Sequence, residues 1–401
     1  MSKKRAGSLC AELHDLSENI GLEIIDTVIV SIKGPSSKYL IGNGKAQEIA
    51  DLLSLKDADC LIFDDDLSPT QQRNWENLTS KCVIDRREVI YEIFSDRAKT
   101  REAALQSALA QMEYSLPRLT RAWTHLSRQR GGAKGTKGKG ETQLESDRRS
   151  ALIRINKIKN ELKKIEKERH MQRKRRTSFP KPFASIVGYT NAGKSSLLNY
   201  LTGSGVLVEN KLFATLDTTT KKLKLPGGME ILISDTVGFI RNLPHDLVEA
   251  FKSTLEEVVL ADFILLVIDA SNEEYQEHIK ATKGILNDLG ANEKPCLLIF
   301  NKIDLVENLE PLKNEFKDAC FISVKQGIGT ERLLEKIKNI VSIEKKQVTV
   351  KLPAECGDLK ALLHRISLIE NEIIIDNEIF IRTSISDRYY NRFAEYIISE
   401  K

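Results

Sequence analysis

The sequence predicts an α/β protein: a mostly parallel sheet with helices on both faces, preceded by a small α/β domain and a long helical hairpin and followed by a small α+β domain. Three observations predict it. Strand-like Phe183 to Val187 runs straight into a glycine-rich loop and then the helical Ser196 to Leu201, the strand-loop-helix unit of parallel sheets. Further apolar strands, Met229 to Ser234, Cys296 to Phe300 and Cys320 to Ile322, recur after it, each ending in a polar motif. Ahead of them, two stretches of helical periodicity flank a segment made almost entirely of glycine and lysine.

Up to about Glu92, short apolar runs alternate with helical stretches. Ile24 to Ile32, Cys60 to Phe63 and Lys81 to Asp85 read as strands, and Lys45 to Leu53 and Thr70 to Leu78 as helices. We take residues 1–95 as the first domain. Gly42-Asn43-Gly44-Lys45 has the look of a phosphate loop, but it lacks the four-residue spacer and the following Ser or Thr, so a helix-initiating turn is the better reading.

The hairpin, residues 96–179, reads as helices over Asp96 to Arg130 and Thr142 to Arg176, with a tip at Gly131 to Gly140. Leu105, Leu109, Met112 and Leu116 share one face of the first helix; Leu152, Ile155, Ile158, Leu162 and Ile165 share one face of the second. Pro117 should kink or end the first helix, since it removes a backbone donor and crowds the preceding turn. A third domain, residues 180–343, opens after Arg173-Lys174-Arg175-Arg176. Beyond it, residues 344–401 carry strands at Val348 to Leu352, Glu372 to Ile375 and Glu378 to Thr383, in a tail with no visible chemistry.

Charge divides the chain. The 401 residues carry a formal net charge of +4, yet Arg97 to Arg176 holds twenty-three Lys and Arg against eight Asp and Glu, so the remainder is net acidic. A basic segment on an acidic protein suggests a polyanion presented to one region, and a mobile tip bearing Lys134, Lys137 and Lys139 suits an irregular RNA backbone. Apolar residues at 41% and charged residues at 29% argue against wholesale disorder. The longest apolar run, Phe263 to Ile268, is far too short to span a membrane, and MSKKRAGSLC lacks the apolar stretch of a signal peptide. We expect a cytoplasmic monomer, with peripheral membrane association left open. The six cysteines form no CxxC pair and read as buried free thiols; the histidines, Trp75 and Trp123 read as packing residues, with base stacking the second reading for Trp123.

Gly188-Tyr189-Thr190-Asn191-Ala192-Gly193-Lys194-Ser195 matches GxxxxGK[ST] between strand and helix. The backbone N–H groups of such a loop wrap a phosphate, Lys194 reaches the outer phosphates, and the Ser195 hydroxyl ligates Mg2+. The base is chosen by Asn301-Lys302-Ile303-Asp304: the Asp304 carboxylate accepts both N1–H and the 2-amino group of guanine, which adenine lacks. Between these motifs stands Asp235-Thr236-Val237-Gly238, where Asp235 holds Mg2+ through water and the Gly238 N–H senses the γ-phosphate. Ser323-Val324-Lys325 would close over the guanine. Four such motifs in order imply a P-loop GTPase domain that binds GTP and GDP. Its second Mg2+ ligand is a threonine of Phe213-Ala214-Thr215-Leu216-Asp217-Thr218-Thr219-Thr220, for which we favour Thr215, leaving Lys194, Thr215 and Gly238 as the catalytic set. Phe239 follows the glycine where a water-orienting Gln often stands, so intrinsic hydrolysis should be slow. Asn191 resembles the Asn that binds K+ in cation-dependent members of the class.

LSPTQQRN at Leu67 to Asn74, GETQLESDRR at Gly140 to Arg149, GYTNAGKSS, LFATLDTTT and DTVGFI together resemble the HflX family of ribosome-associated GTPases over nearly the whole chain. The resemblance supports Thr215 and implies binding to the large ribosomal subunit, with the basic tip reaching toward the peptidyl transferase region and GTP-dependent separation of stalled ribosomes. Lys139 stands where the family usually has Pro, and Thr218 where it often has Pro. Two other readings compete: an RNA-binding assembly factor whose nucleotide domain only tunes affinity, and a GTPase coupled to RNA modification, for which no catalytic Cys or cofactor loop is visible.

Overall fold

The computed structural model describes residues 3–119, 137–176, 181–203, 212–213, 215–216, 218–241, 247, 251–343, 345–367, 369–375, 378–386, 390 and 392–400. The chain forms two compact units. The first comprises residues 1–172 with the short stretches 211–213 and 244–251; the second holds the rest. Among the described residues, no helix is long and apolar enough to cross a membrane.

The first unit runs α1 (Lys3–Asn19), α2 (Asn43–Leu55), β1 (Cys60–Phe63), α3 (Pro69–Thr79), β2 (Cys82–Asp85), α4 (Arg86–Arg97), α5 (Arg101–Ser115) and α6 (Lys137–Arg176) up to Gln172. Strands β1 and β2 pair in parallel, Leu61 beside Val83. Gly42 is the N-cap of α2, as the turn reading requires. The polar motif Leu67 to Asn74 is structural. Ser68 and Gln71 form a reciprocal capping box, Asn74 donates to the Lys38 carbonyl, and fully buried Trp75 donates to the Tyr39 carbonyl at 2.9 Å. Behind it lies buried Asp85, which accepts from the Tyr114 hydroxyl (2.8 Å) and the Leu67 N–H (3.1 Å) and stands 3.7 Å from the Arg118 guanidinium. Phe94 of α4 packs against Phe213 and Phe251, with ring centroids 4.7 and 4.9 Å apart.

Several expectations for this unit are corrected. Residues 24–32 form no strand: apolar β-branched composition alone does not make one without a partner to pair with, and Ile25, Val28, Ile29 and Ile32 are exposed. The helix expected over Asp96 to Arg130 is α5, begun by Thr100, whose hydroxyl caps the Ala103 N–H, and ended at Ser115 just before Pro117; residues 120–136, including Trp123 and the start of the tip, lie outside the described residues. Lys137 to Gly140 belong to α6 rather than to a loop. Extending an existing helix avoids the nucleation cost, which offsets roughly 1 kcal/mol for each of Gly138 and Gly140. Leu109, Ile155 and Ile158 form the shared apolar seam with Leu105, Met112, Leu116 and Leu162. Leu152 is excluded from it at 42% exposure, because α5 stops at Ser115 and the described partner face runs out. Of the six cysteines only Cys320 is buried; Cys82 and Cys296 are exposed at the first positions of their strands.

The second unit contains β3 (Phe183–Gly188), α7 (Lys194–Thr202), β4 (Thr219–Lys224), β5 (Glu230–Asp235), α8 (Lys252–Leu260), β6 (Phe263–Asp269), α9 (Tyr275–Asp288), β7 (Cys296–Asn301), α10 (Glu310–Glu315), β8 (Cys320–Phe321), α11 (Thr330–Ile343), β9 (Lys345–Pro353), α12 (Gly357–Ile366), β10 (Ile369–Ile375), β11 (Glu378–Ser386) and β12 (Ile397–Glu400). Six strands form one sheet in the order β4-β5-β3-β6-β7-β8, parallel except for β4. Its central strands are nearly continuous apolar runs because helices cover both faces, with Ile186, Leu197, Ile233, Leu265, Ile299 and Leu333 in the core. The crossing order places the C-terminal ends of β3, β5 and β7 at one edge, where ligands of open α/β sheets bind. The tail is an antiparallel sheet ordered β10-β11-β9-β12, covered by α12 through Leu362, Leu363 and Ile366.

Candidate active site

The loop leaving β3 requires glycine at two points. Gly188 has φ +152°, and a Cβ there would lie 2.2 Å from the Val267 carbonyl oxygen on the neighbouring strand. Gly193, at φ +93°, approaches the Asn301 side chain just as closely. Asn191 holds the left-handed φ of +60°. Lys194 opens α7 buried and donates from Nζ to the Tyr189 carbonyl at 2.8 Å. Burial pushes its ammonium down to about 8, with Asp235 working in the opposite direction.

Three oxygens converge beside it. The Ser195 hydroxyl is 2.6 Å from both Thr215 Oγ1 and Asp235 Oδ2, and Thr215 Oγ1 is 3.0 Å from the same carboxylate oxygen. Burial raises the Asp235 carboxyl, and Lys194, Ser195 and Thr215 counter that. Asp235 Oδ1 and Thr190 Oγ1 are buried with no hydrogen-bond partner among the described residues. Buried polar atoms of this kind need a partner, and an all-oxygen donor set with one carboxylate fits a hard divalent cation.

At the far end of the edge, Asn301 Nδ2 donates to the Ala192 carbonyl (3.0 Å), and its Oδ1 accepts from the Val324 N–H (3.2 Å). One side chain thereby ties the two loops together. Lys302, in the left-handed conformation, pairs with Asp269 at 2.7 Å, while Asp304 Oδ1 accepts from the Ser323 hydroxyl at 2.6 Å. Lys325 is exposed.

The turn after β5 is anchored to the phosphate-type loop. Thr236 Oγ1 donates to the Ile186 carbonyl at 2.8 Å, and Gly238 packs so tightly that a Cβ would meet Thr190 Cγ2 at 2.8 Å. Val237 and Phe239 are buried.

Most of the residues singled out in the sequence therefore meet at one edge: Gly188 to Ser195, Thr215, Asp235 to Gly238, Asn301 to Asp304 and Ser323 to Lys325. Phe213 does not join them, since its ring is buried against Phe94; Leu216 is likewise buried, and Ala214 and Asp217 lie outside the described residues. Sequence reasoning missed Arg241, Glu274 and His278. Arg241 donates to the Glu274 carboxylate, and His278 stacks on Tyr189 with ring centroids 3.7 Å apart. The only signal was an arginine three residues past Gly238; nothing in the sequence placed α9 beside it.

Comparison with known proteins follows the same order along the chain. Residues 8–95 match the family described as GTP-binding GTPase N-terminal, residues 97–176 the GTP-binding GTPase Middle Region, and residues 183–302 the 50S ribosome-binding GTPase family. A protein named GTPase HflX from Akkermansia muciniphila is 45% identical over 400 residues, covering 96% of this chain and 92% of that one. GTPase HflX of Escherichia coli is 42% identical, covering 90% and 85%. A crystal structure of a GTP-binding protein from Sulfolobus solfataricus in complex with GDP is similar at 28% identity, covering 83% and 95%, with a TM-score of 0.43.

Proposed function

Since the chain belongs to the HflX family of GTPases and is a GTP hydrolase, we propose that it works as a nucleotide-driven switch on the large ribosomal subunit, separating stalled ribosomes into subunits. The observation that carries this reading is the convergence of Ser195, Thr215 and Asp235 within 3.0 Å of one another. A switch must couple a mobile segment to the terminal phosphate, and here a hydroxyl from the segment before β4 reaches the cation-type oxygens of α7 and β5.

In this reading Lys194 would neutralise the outer phosphates, Ser195 and Thr215 would hold Mg2+ with Asp235 beside them, and the Gly238 N–H would face the γ-phosphate. A Mg2+ ion held there would supply positive charge to offset that of the outer phosphates. Asp304 and the Ser323 to Lys325 loop select guanine. Phe239, buried by its side chain, has no group to orient the attacking water, so intrinsic hydrolysis is slow and is stimulated by the ribosome; Asn191 is the candidate for a K+ contact. The described part of α6 exposes Arg148, Arg149, Arg154 and Lys157 around the helix, cations suited to ribosomal RNA phosphates. The division into domains at residues 95, 179 and 343 is part of the proposal; the matched spans 8–95, 97–176 and 183–302 support the first two boundaries.

The test is sedimentation with purified large subunits in a non-hydrolysable GTP analogue, GDP or no nucleotide, at low and high salt. Binding should be strongest with the analogue and weakened by salt. Equal binding in every nucleotide state would remove the switch, and no binding at low salt would remove the ribosomal partner.

A further inference from the structure

Gly238 has no side chain with which to hold its own amide in place, yet its surroundings are fixed on both sides. Upstream, Thr236 is tied to β3 through the Ile186 carbonyl. Downstream, the backbone pairs directly with the loop leaving β3: the Phe239 N–H donates to the Gly188 carbonyl at 3.1 Å, and the Thr190 N–H donates to the Phe239 carbonyl at 2.8 Å. Two residues on, the Arg241 N–H donates to the Tyr189 phenolic oxygen at 2.8 Å.

That phenol belongs to a built cluster. The Tyr189 ring lies flat on the His278 imidazole, with 4° between the planes. The Arg241 guanidinium is 9% exposed, donates to the Glu274 carboxylate and sits 3.3 Å from His278 Nε2. Tyr189 is therefore held on one face by α9 and presents its oxygen to the chain just beyond Gly238. In between, the position of a Gly238 Cβ would be 3.0 Å from Lys194 Nζ.

We propose that Tyr189, backed by Arg241, Glu274 and His278, is a positioning residue for GTP hydrolysis: it fixes the turn so that the Gly238 amide meets the terminal phosphate without being ordered at each turnover. The proposal rests on the GTPase reading above. The physical reason is entropic. A glycine amide free to wander must be ordered before it can stabilise developing charge, whereas a turn pinned at both flanks carries that cost in the folded state. GDP lacks the γ-phosphate and so is expected to gain little from the clamp, and Tyr189 therefore contributes to discrimination between GTP and GDP as well as to rate.

The experiment uses the full chain and compares wild type, Tyr189→Phe and Glu274→Gln in single-turnover GTP hydrolysis and in equilibrium binding of GDP and a non-hydrolysable GTP analogue. Tyr189→Phe keeps the ring on His278 and removes the acceptor of the Arg241 N–H. It should lower kcat by about tenfold and weaken the analogue, while GDP affinity stays within about twofold. Glu274→Gln, which leaves Tyr189 intact, should move kcat in the same direction by a smaller factor. Unchanged kcat in both variants overturns the proposal, as does an equal loss of GDP and analogue affinity, which would mark a general structural effect. Failure of the wild type itself to bind GDP would overturn the GTPase reading instead.

Discussion

The Ser195 hydroxyl lies 2.6 Å from Asp235 Oδ2, although forty residues separate them in the chain. Parallel pairing of β3 with β5 brings them together, setting Ile186 beside Asp235 so that the two loops leave the sheet at the same level. Replacing Ser195 by Ala removes one of the three oxygens. GTP hydrolysis should fall by about 100-fold, equivalent to about 3 kcal/mol, with a rise in the Mg2+ concentration needed for half activity. Phosphate release across a Mg2+ titration measures both, and an unaltered Mg2+ requirement would argue against the assigned ligand.

Asp304 should govern the choice of base. Its carboxylate is oriented by the Ser323 hydroxyl, so Asp304→Asn keeps the shape and places an N–H2 where two guanine donors would arrive. GTP affinity should drop by roughly 100-fold, about 3 kcal/mol, and xanthine nucleotide, with an acceptor at C2, should bind better than GTP. Titration with fluorescent nucleotides checks this; retained guanine preference would place base selection elsewhere.

His278 supplies a pH dependence. Burial and then Arg241 hold its imidazole down to about 4 from an ordinary 6.5, while Glu274, Asp269 and Glu277 pull upward. Between those values the unfolded chain binds the proton and the native chain does not. Stability therefore falls as pH falls from about 6.5 toward 4, by up to about 1.4 kcal/mol per pH unit. His278→Phe retains an aromatic face for Tyr189 and removes the titration. The difference between its unfolding free energy and that of wild type should vary across that window and be level above pH 7.5.

In the first unit, Asp85→Ala leaves the Tyr114 hydroxyl and the Leu67 N–H without their acceptor and the Arg118 guanidinium without its carboxylate. The loss should be about 3 to 5 kcal/mol, read as a shifted urea midpoint. Asp85→Asn, which restores an acceptor, should recover part of it.

The site was legible where chemistry demands fixed residue types at fixed spacing. Gly188, Asp235 and Asn301 close their strands and Lys194 opens the helix after the loop, and strand ends can be read from apolar runs. Packing partners from distant elements were not legible. His278 looks like any helix residue until α9 is laid beside β3, and Arg241 has no motif of its own. The same limit explains residues 24–32, where strand-like composition met no partner, and Leu152, whose helical phase was right but which stands outside the described seam. Gly138 and Gly140 fell within α6 because propagation of an existing helix outweighed local propensity.

Phe94 sets a practical limit on how the molecule can be cut. Phe213 and Phe251 belong, by sequence, to the span read as the nucleotide domain, yet each rests its ring on this one residue of α4. A fragment begun at residue 180 would strip Phe94 from both rings and leave apolar surface on those segments. Such a truncate would inform on its own solubility before it informed on catalysis, and kinetic work on this protein belongs with the intact chain.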